Sequence, residues 1–473
     1  APGCEENIFI LNNLSNGSKK NKKTIAVCFV DLVGMAMNYK KTRGFHIAPK
    51  GKTYVVNSRN KWKVDNNEIV LIMPGEHKKY LGAYFDPRIG VEPENSLAKL
   101  EDYLKNLESL PLKPGQKVYC LKTFVIPSLL YGLLQSDWKK HTLVDMDRRI
   151  RNYLKEVLHL ALGTADGLLY SATKDGGLGI QKLESLIPNL TYNKLDKFNK
   201  SDERIIHAIA AFNIINITTE MTNLLCSSIN PYTHWRKQEL ARWKEFRCLY
   251  FEDDSVSNSW CTDLSRLKSK HIAALQLRSN TYPTREFTAR GRPTVTKMRR
   301  GCGNATETLG HISGQCIKLY RHNTVAKQLI NKAEKLGWTT EKEPNLIDNQ
   351  GRLRKPDLIF KKGDQALVVN VTVRKEDNKS SLEKAFQEKV EYYSPLRPQI
   401  EKLTGCKNIG FVVGARGKFP KIVNSWSISA CQDIKNFQYQ HLFSKHSKHH
   451  FPHTLSIWSS SQNISENYKF TPP

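Results

Sequence analysis

A two-stranded hairpin is written into residues 355–373, and it constrains the fold more than any other stretch. Lys355-Pro356-Asp357-Leu358-Ile359-Phe360 and Ala366-Leu367-Val368-Val369-Asn370-Val371-Thr372-Val373 are apolar, largely β-branched runs. Between them stands Lys361-Lys362-Gly363-Asp364-Gln365, whose Gly-Asp pair is the chemistry of a two-residue type II′ turn. With Gly363 and Asp364 at the turn centre, position 357 falls opposite position 370 on one sheet face. Two carboxylates so placed hold a metal ion between them, and an ion so held acidifies water. Here the second group is the amide of Asn370.

Along the second strand, Leu367, Val369, Val371 and Val373 share one face, and Val368, Asn370 and Thr372 share the other. Thr372 is no cation, so a positive charge for this face has to come from another element. The following helix offers one. Leu382, Ala385, Phe386, Val390 and Tyr393 form its apolar stripe, and Lys389 lies on that stripe. An inward Lys needs an anion, and a phosphate or Asp357 would serve. The plainer reading is a Lys stem that covers apolar surface. Lys384 points outward, where Glu388 at i+4 is its expected partner. Residues 409–414 are expected to add a further strand.

Charge bounds the partner. The chain has 473 residues, with 73 Lys+Arg against 45 Asp+Glu, a formal net charge of +28. Such an excess points to a polyanion, nucleic acid first, with a membrane-surface or ribosome-like protein as the competing reading. No signal peptide and no apolar run long enough to span a bilayer are read from the sequence. Ten Cys, mostly far apart, do not make a disulfide framework and fit a reducing compartment with one metal site. The chain opens Ala-Pro-Gly-Cys and is expected to be a piece of something longer.

Residues 1–23 end in Lys19-Lys20-Asn21-Lys22-Lys23 and read as a flexible basic linker. Residues 24–86 read as mixed strand and turn. From Ser96 the pattern becomes helical, with Leu97, Leu100, Leu104 and Leu107 at 3-4-3 spacing, and it continues through 117–134 and 145–162. Asp175-Gly176-Gly177-Leu178-Gly179 is a break. Further helices are expected at 271–278 and 324–336, and a polar tail from 436 onward. Cys302, His311 and Cys316 are zinc-type ligands at short spacing. A closed site needs a fourth. The upstream position holds Met298, an uncharged and poor zinc ligand, and His322 is the substitute by folding back. A former knuckle without metal is the competing reading.

The order of helical region, Gly-Gly-Leu-Gly break, Cys/His cluster and Lys-Pro-Asp hairpin resembles the C-terminal half of a non-LTR retrotransposon polyprotein. The resemblance is to the ribosomal-DNA-inserting clade and covers roughly residues 24–430. It implies an α+β multidomain chain. Its parts would be a basic linker (1–23), a remnant reverse-transcriptase palm (24–92), a helical thumb (93–180) and a mixed helical linker (181–295). A zinc-knuckle segment (296–322), an α/β restriction-like endonuclease of the PD-(D/E)xK type (323–435) and a tail (436–473) would follow. The thumb match is Lys117 through Tyr131, and the knuckle match is Arg299-Arg300-Gly301-Cys302 through His311 and Cys316. Asp357, Asn370 (where the family has Asp) and Lys389 match the nuclease centre, which would take Mg2+; the knuckle would take Zn2+. Cys28-Phe29-Val30-Asp31-Leu32-Val33 resembles the polymerase motif with two adjacent acids, of which only Asp31 is present.

Two-metal nucleotidyl transfer needs several carboxylates. The resemblance therefore implies an incomplete polymerase centre and a nuclease centre impaired at Asn370, in a truncated, degenerate or deliberately inactivated chain. The family role is nicking a DNA target and copying element RNA from the nick, in the nucleus, with dNTPs as substrates and no membrane partner. The alternative class is a non-catalytic nucleic-acid-binding protein derived from such an element. A resolvase-like nuclease is weaker, because it leaves residues 24–180 unexplained.

Overall fold

In the computed structural model, the residues described are 4–29, 32–33, 36–37, 42–56, 62–64, 66–88, 90–91, 95–135, 138–200, 202, 206, 251, 255–264, 267–312, 321–363, 365–374, 380–396 and 407–414. Asp31, Cys316, Asp364, Glu376, Asp377, the segment 207–250 and the tail from 415 lie outside them.

The first departure from expectation is at the N-terminus. The span expected to be a flexible linker contains a helix instead: α1 spans Cys4–Lys20. Ile8, Leu11, Ser15 and Ser18 recur at steps of three and four residues, and all are buried. The charge run at 19–23 disguised this stripe. The helix packs on a sheet of β1 (Ile25–Phe29), β4 (Arg43–Lys50), β7 (Asn67–Leu71) and β6 (Trp62–Val64), in that spatial order, with β5 (Thr53–Val56) on the free side of β4. Short β2 (Leu32–Val33) and β3 (Ala36–Met37) pair with each other. A second sheet holds β8 (Lys78–Tyr80), β9 (Ala83–Asp86) and β10 (Gly90–Val91). Phe29 joins the two sheets, with ring centroids 4.7 Å from Tyr80 and 5.9 Å from Phe85. The β8–β9 turn is Leu81-Gly82, both at positive φ, and Gly82 lies against the Tyr131 ring, so a side chain there would collide with it.

Tyr131 belongs to the helical region, and its hydroxyl donates to the Leu81 carbonyl. Helix α2 (Ser96–Ser109) starts at an Asn95 cap that accepts the Ala98 N–H at 3.1 Å. Helix α3 (Pro114–Cys120) has Pro at its start and runs through a π-helical turn at Leu121–Val125 into α4 (Ile126–Gln135). Leu121, Ile126, Leu129 and Leu133 pack with Leu143, Met146, Ile150 and Leu154 of α5 (Lys140–Val157) in one core. The helix expected at 145–162 is therefore shifted. It begins at Lys140 and ends at Val157, because His159 turns to φ +48°. The membrane expectation also needs correction. Pro114–Gln135 is long and apolar enough to cross a bilayer by length and composition, although its buried stripe is spent on this core.

Helix α6 (Gly167–Tyr170) leads to the glycine break, where a side chain at Gly177 would run into the Ser171 carbonyl. Helix α7 (Leu183–Asn199) follows. Its first turn is capped from another helix: Asp147 of α5 accepts the N–H groups of Leu183 and Glu184, both at 2.9 Å. Helix α8 (Lys268–Arg278) ends at a buried Arg278, whose guanidinium stacks 3.4 Å from the Phe251 ring and donates to Asn258.

The C-terminal unit is a sheet between two helices. Its order is β11 (Thr339–Lys342), β14 (Leu358–Lys362), β15 (Gln365–Arg374) and β16 (Lys407–Gly414). The first three run antiparallel to their neighbours, and β16 is parallel to β15. Leu358, Phe360, Val369 and Val371 face α9 (Arg321–Lys335), which supplies Val325, Ala326, Leu329 and Ala333. Ile359 and Val368 face the other way, toward Tyr393 of α10 (Ser381–Tyr393). A small hairpin, β12 (Leu346–Ile347) with β13 (Leu353–Arg354), precedes β14.

Candidate functional site

The hairpin turns where its chemistry says it should. Lys362 pairs with Gln365, as a two-residue turn requires, and Gly363 takes φ +55°. Leu358 pairs with Val369, so one step further Asp357 stands across from Asn370. The two touch. The Asp357 N–H donates to Asn370 Oδ1 at 3.3 Å, and the Val371 N–H donates to Asp357 Oδ2 at 2.7 Å. Asn370 is 1% exposed, and its Nδ2 has no hydrogen-bond partner among the described residues.

Helix α10 covers this face. Tyr393 donates its hydroxyl to the Lys355 carbonyl at 2.8 Å. Burial first, then the negative charge of Asp357, push the Tyr393 phenol up to about 12. Lys389 is half-buried on the same helix face, its Nζ 5.9 Å from the Tyr393 ring centroid. Asp357, Asn370 and Lys389 are thus brought to one side of the sheet, with Tyr393 beside them. Glu388 is taken by Arg374 at 3.1 Å, from the strand rather than from the expected Lys384.

The donor set around Asp357 is poor for magnesium. Asp357 offers one carboxylate, with one oxygen already bound to a backbone N–H. The Asn370 oxygen is likewise occupied, and its other atom is a donor. No group of three or more His, Cys, Asp or Glu side chains that could hold an ion occurs among the described residues. The residues present do not fit a magnesium centre.

The Cys/His segment fits its metal better. Cys302 Sγ lies 3.3 Å from His311 Nε2. Two ligands of one tetrahedral zinc sit about 3.5 Å apart, given Zn–S of about 2.3 Å and Zn–N of about 2.0 Å. Met298 is 41% exposed and bridges Thr306 as an isolated strand pair, which takes it out of any closed site. Cys316 and the His322 side chain lie outside the described residues. The segment is organised by a residue that periodicity did not flag. Glu307 accepts the N–H groups of Arg285 and Arg300, both at 3.0 Å, and the Arg300 guanidinium at 2.8 Å. Burial opposes its ionisation, but these hydrogen bonds and the Arg300 charge hold the carboxyl below its usual range. Its only sequence signal is being a lone acid downstream of Lys297, Arg299 and Arg300.

No family model matches the chain. Similar proteins include a Retrovirus-related Pol polyprotein from type-1 retrotransposable element R2 of Popillia japonica. It is 29% identical over 406 residues, covering 82% of this chain and 66% of that protein. Another from the same species is 29% identical over 425 residues, covering 85% of this chain and 87% of that one. The Pol polyprotein from type-2 retrotransposable element R2DM of Drosophila melanogaster is 26% identical over 451 residues, covering 89% of this chain and 40% of that protein. The chain thus spans just under two thirds of the first relative and less than half of the third. Homologues at 25–29% identity over most of the chain are R2 retrotransposon Pol polyproteins, which supports a non-LTR retrotransposon polyprotein region.

Proposed function

We infer that this chain handles nucleic acid as part of a retrotransposon Pol polyprotein, and that residues 323–435 form a restriction-like endonuclease domain weakened at Asn370. The observation that carries this is the pairing of Asp357 with a buried amide across the hairpin, under the helix that bears Lys389. In an intact centre, two acids would hold Mg2+, which supplies an activated water; the chain offers one acid and one amide. Lys389, on the covered face, is assigned to the phosphate. The proposed partners are target DNA and element RNA in the nucleus, with dNTPs as substrates where the palm is complete. Zinc is assigned to Cys302, His311, Cys316 and, as the fourth ligand, His322. Nicking of supercoiled plasmid in magnesium tests the reading. The chain should nick weakly or not at all, Asn370→Asp should raise the rate, and Asp357→Ala in that background should abolish it.

A second reading is a non-catalytic binding protein that retains these surfaces. The orphan Asn370 Nδ2 favours it, because an amide donor repels a cation rather than holding one. Failure of Asn370→Asp to nick, with tight binding retained, would decide for it.

A further inference from the structure

We propose that the β12–β13 hairpin is a wedge that inserts between stacked base pairs of duplex DNA beside the Asp357 centre, a proposal that rests on the nucleic-acid reading above. The two strands alternate cleanly. Leu346 and Arg354 face inward: Leu346 packs with Ile359, Val368 and Tyr393, and the Arg354 guanidinium lies 4.1 Å from the Tyr392 ring. Ile347 and Leu353 face outward, pair across the strands, and are each 57% exposed. Two large aliphatic side chains held together in solvent cost free energy that folding of this chain does not recover.

The tip is rigid. The Asp348 carboxylate, with no side-chain exposure, accepts the N–H groups of Gln350 and Arg352 at 2.9 Å. It also accepts Arg352 Nε at 3.0 Å and Arg354 Nε at 3.1 Å. The Asp348 N–H closes the loop on the Arg352 carbonyl at 2.9 Å, and Gly351 takes φ +73°. A loop of this length, braced by a buried charge, presents the Ile347–Leu353 pair without further ordering cost on binding.

The occupant follows from charge and position. Exposed Arg352 and Lys355 flank the apolar pair, and the one acid of the loop is consumed internally. The other acids near in sequence are Glu341 and Glu343 before β12 and Asp357 after β13; Glu341 is bound to Lys361 at 2.6 Å, and one Asp357 carboxylate oxygen accepts the Val371 N–H at 2.7 Å. An apolar pair in a basic frame suits a phosphate-edged groove, where Ile and Leu side chains unstack base steps and kink the duplex. Leu353 is four residues before Asp357, so a kink made here opens the backbone at the proposed site of cutting.

The test uses the full chain and relaxed plasmid closed by topoisomerase I, which needs no knowledge of target sequence. Wedge insertion unwinds DNA, so the bound chain should shift the topoisomer distribution. The double variant Ile347→Ser with Leu353→Ser should lose most of that shift, while its affinity for a short duplex in low salt stays within about threefold, because phosphate contacts dominate affinity. These side chains are exposed, so the variant should keep its melting temperature. A second variant, Asp348→Ala, should lessen the shift by loosening the tip. A double variant that unwinds like the parent overturns the proposal. So does a parent that binds duplex without unwinding it, or a double variant whose only change is a lower sedimentation mass, which would assign the pair to a second copy of the chain. A parent that does not bind duplex at all overturns the nucleic-acid reading itself, and the anisotropy arm reports that separately.

Discussion

Replacing Asn370 by Asp puts a second carboxylate on a face where one is already fixed. Asn370 is 1% exposed and Asp357 N–H is bonded to its side chain. Cross-strand side chains stand about 5 Å apart. Two unit charges at that distance repel by about 3 kcal/mol at an effective dielectric of about 20. Without a cation, the Asn370→Asp protein should therefore take up a proton at the pair or lose stability of that order, and its melting temperature in chelator should fall below the parent's. Magnesium should reverse this loss in the variant and do little for the parent. The same interaction works on the reaction. A lost metal-holding charge worth about 4 kcal/mol corresponds to roughly a thousandfold in rate. Supercoiled plasmid, read as open circle over time, should show nicking by Asn370→Asp at least about a hundredfold above the parent. Equal nicking by parent and variant would refute the reasoning, as would a variant that magnesium does not stabilise. The second acid would then be sought at Glu376 or Asp377.

Three other outcomes are expected. Affinity for duplex DNA should fall by orders of magnitude between about 50 and 200 mM salt, read by anisotropy, since a net charge of +28 releases counterions on binding; a flat salt profile contradicts this. The purified chain should carry zinc measurable by atomic absorption, and Cys302→Ser with His311→Ala should lose it; equal zinc in parent and variant removes these two from the site. Burial raises the Asp147 carboxyl from 3.8 to about 6 against the pull of its hydrogen bonds from Glu184 and Leu183, so the folded state binds its proton more tightly than the unfolded one. Stability from this group is thus full below about pH 4 and is lost as pH rises through about 6, by up to about 3 kcal/mol. Melting curves of Asp147→Asn should lack that slope.

What was legible in the sequence was local. The period-two alternation of 366–373 and the Gly-Asp turn are set by neighbouring residues, and they fix the register that opposes Asp357 to Asn370. The leucine spacing at 97–107 likewise gives α2. What was not legible depends on distant partners. Asp147 reads as a surface acid among Asp145, Arg148 and Arg149, yet it is buried because a helix starting 36 residues later docks its amides there. Helix α1 was hidden because Ser15 and Ser18 complete its stripe, and small polar residues do not announce a buried face. Tyr393 was legible as apolar stripe, but not as the residue that would sit against Asp357.

The buried acids supply an argument about position 370 that the hairpin alone does not. Among the described residues, Asp86, Asp147, Glu307 and Asp348 are buried carboxylates, and each accepts two backbone N–H groups. Wherever this fold encloses an acid, it aims amides at it, as the cost of desolvating a charge requires. At Asn370 one backbone N–H arrives, from Asp357, and the other terminal atom, the Nδ2 donor, meets no acceptor among the described residues. A donor without an acceptor in a buried place is costly, so the amide is poorly matched to its surroundings. An acid there would remove the orphan donor but would need a positive charge in place of the second amide. Asp357 across the strand and Lys389 on the covering helix point the same way. A carboxylate at position 370 would meet one backbone amide where each of the four enclosed acids meets two, so it would need a cation beside it to be held there.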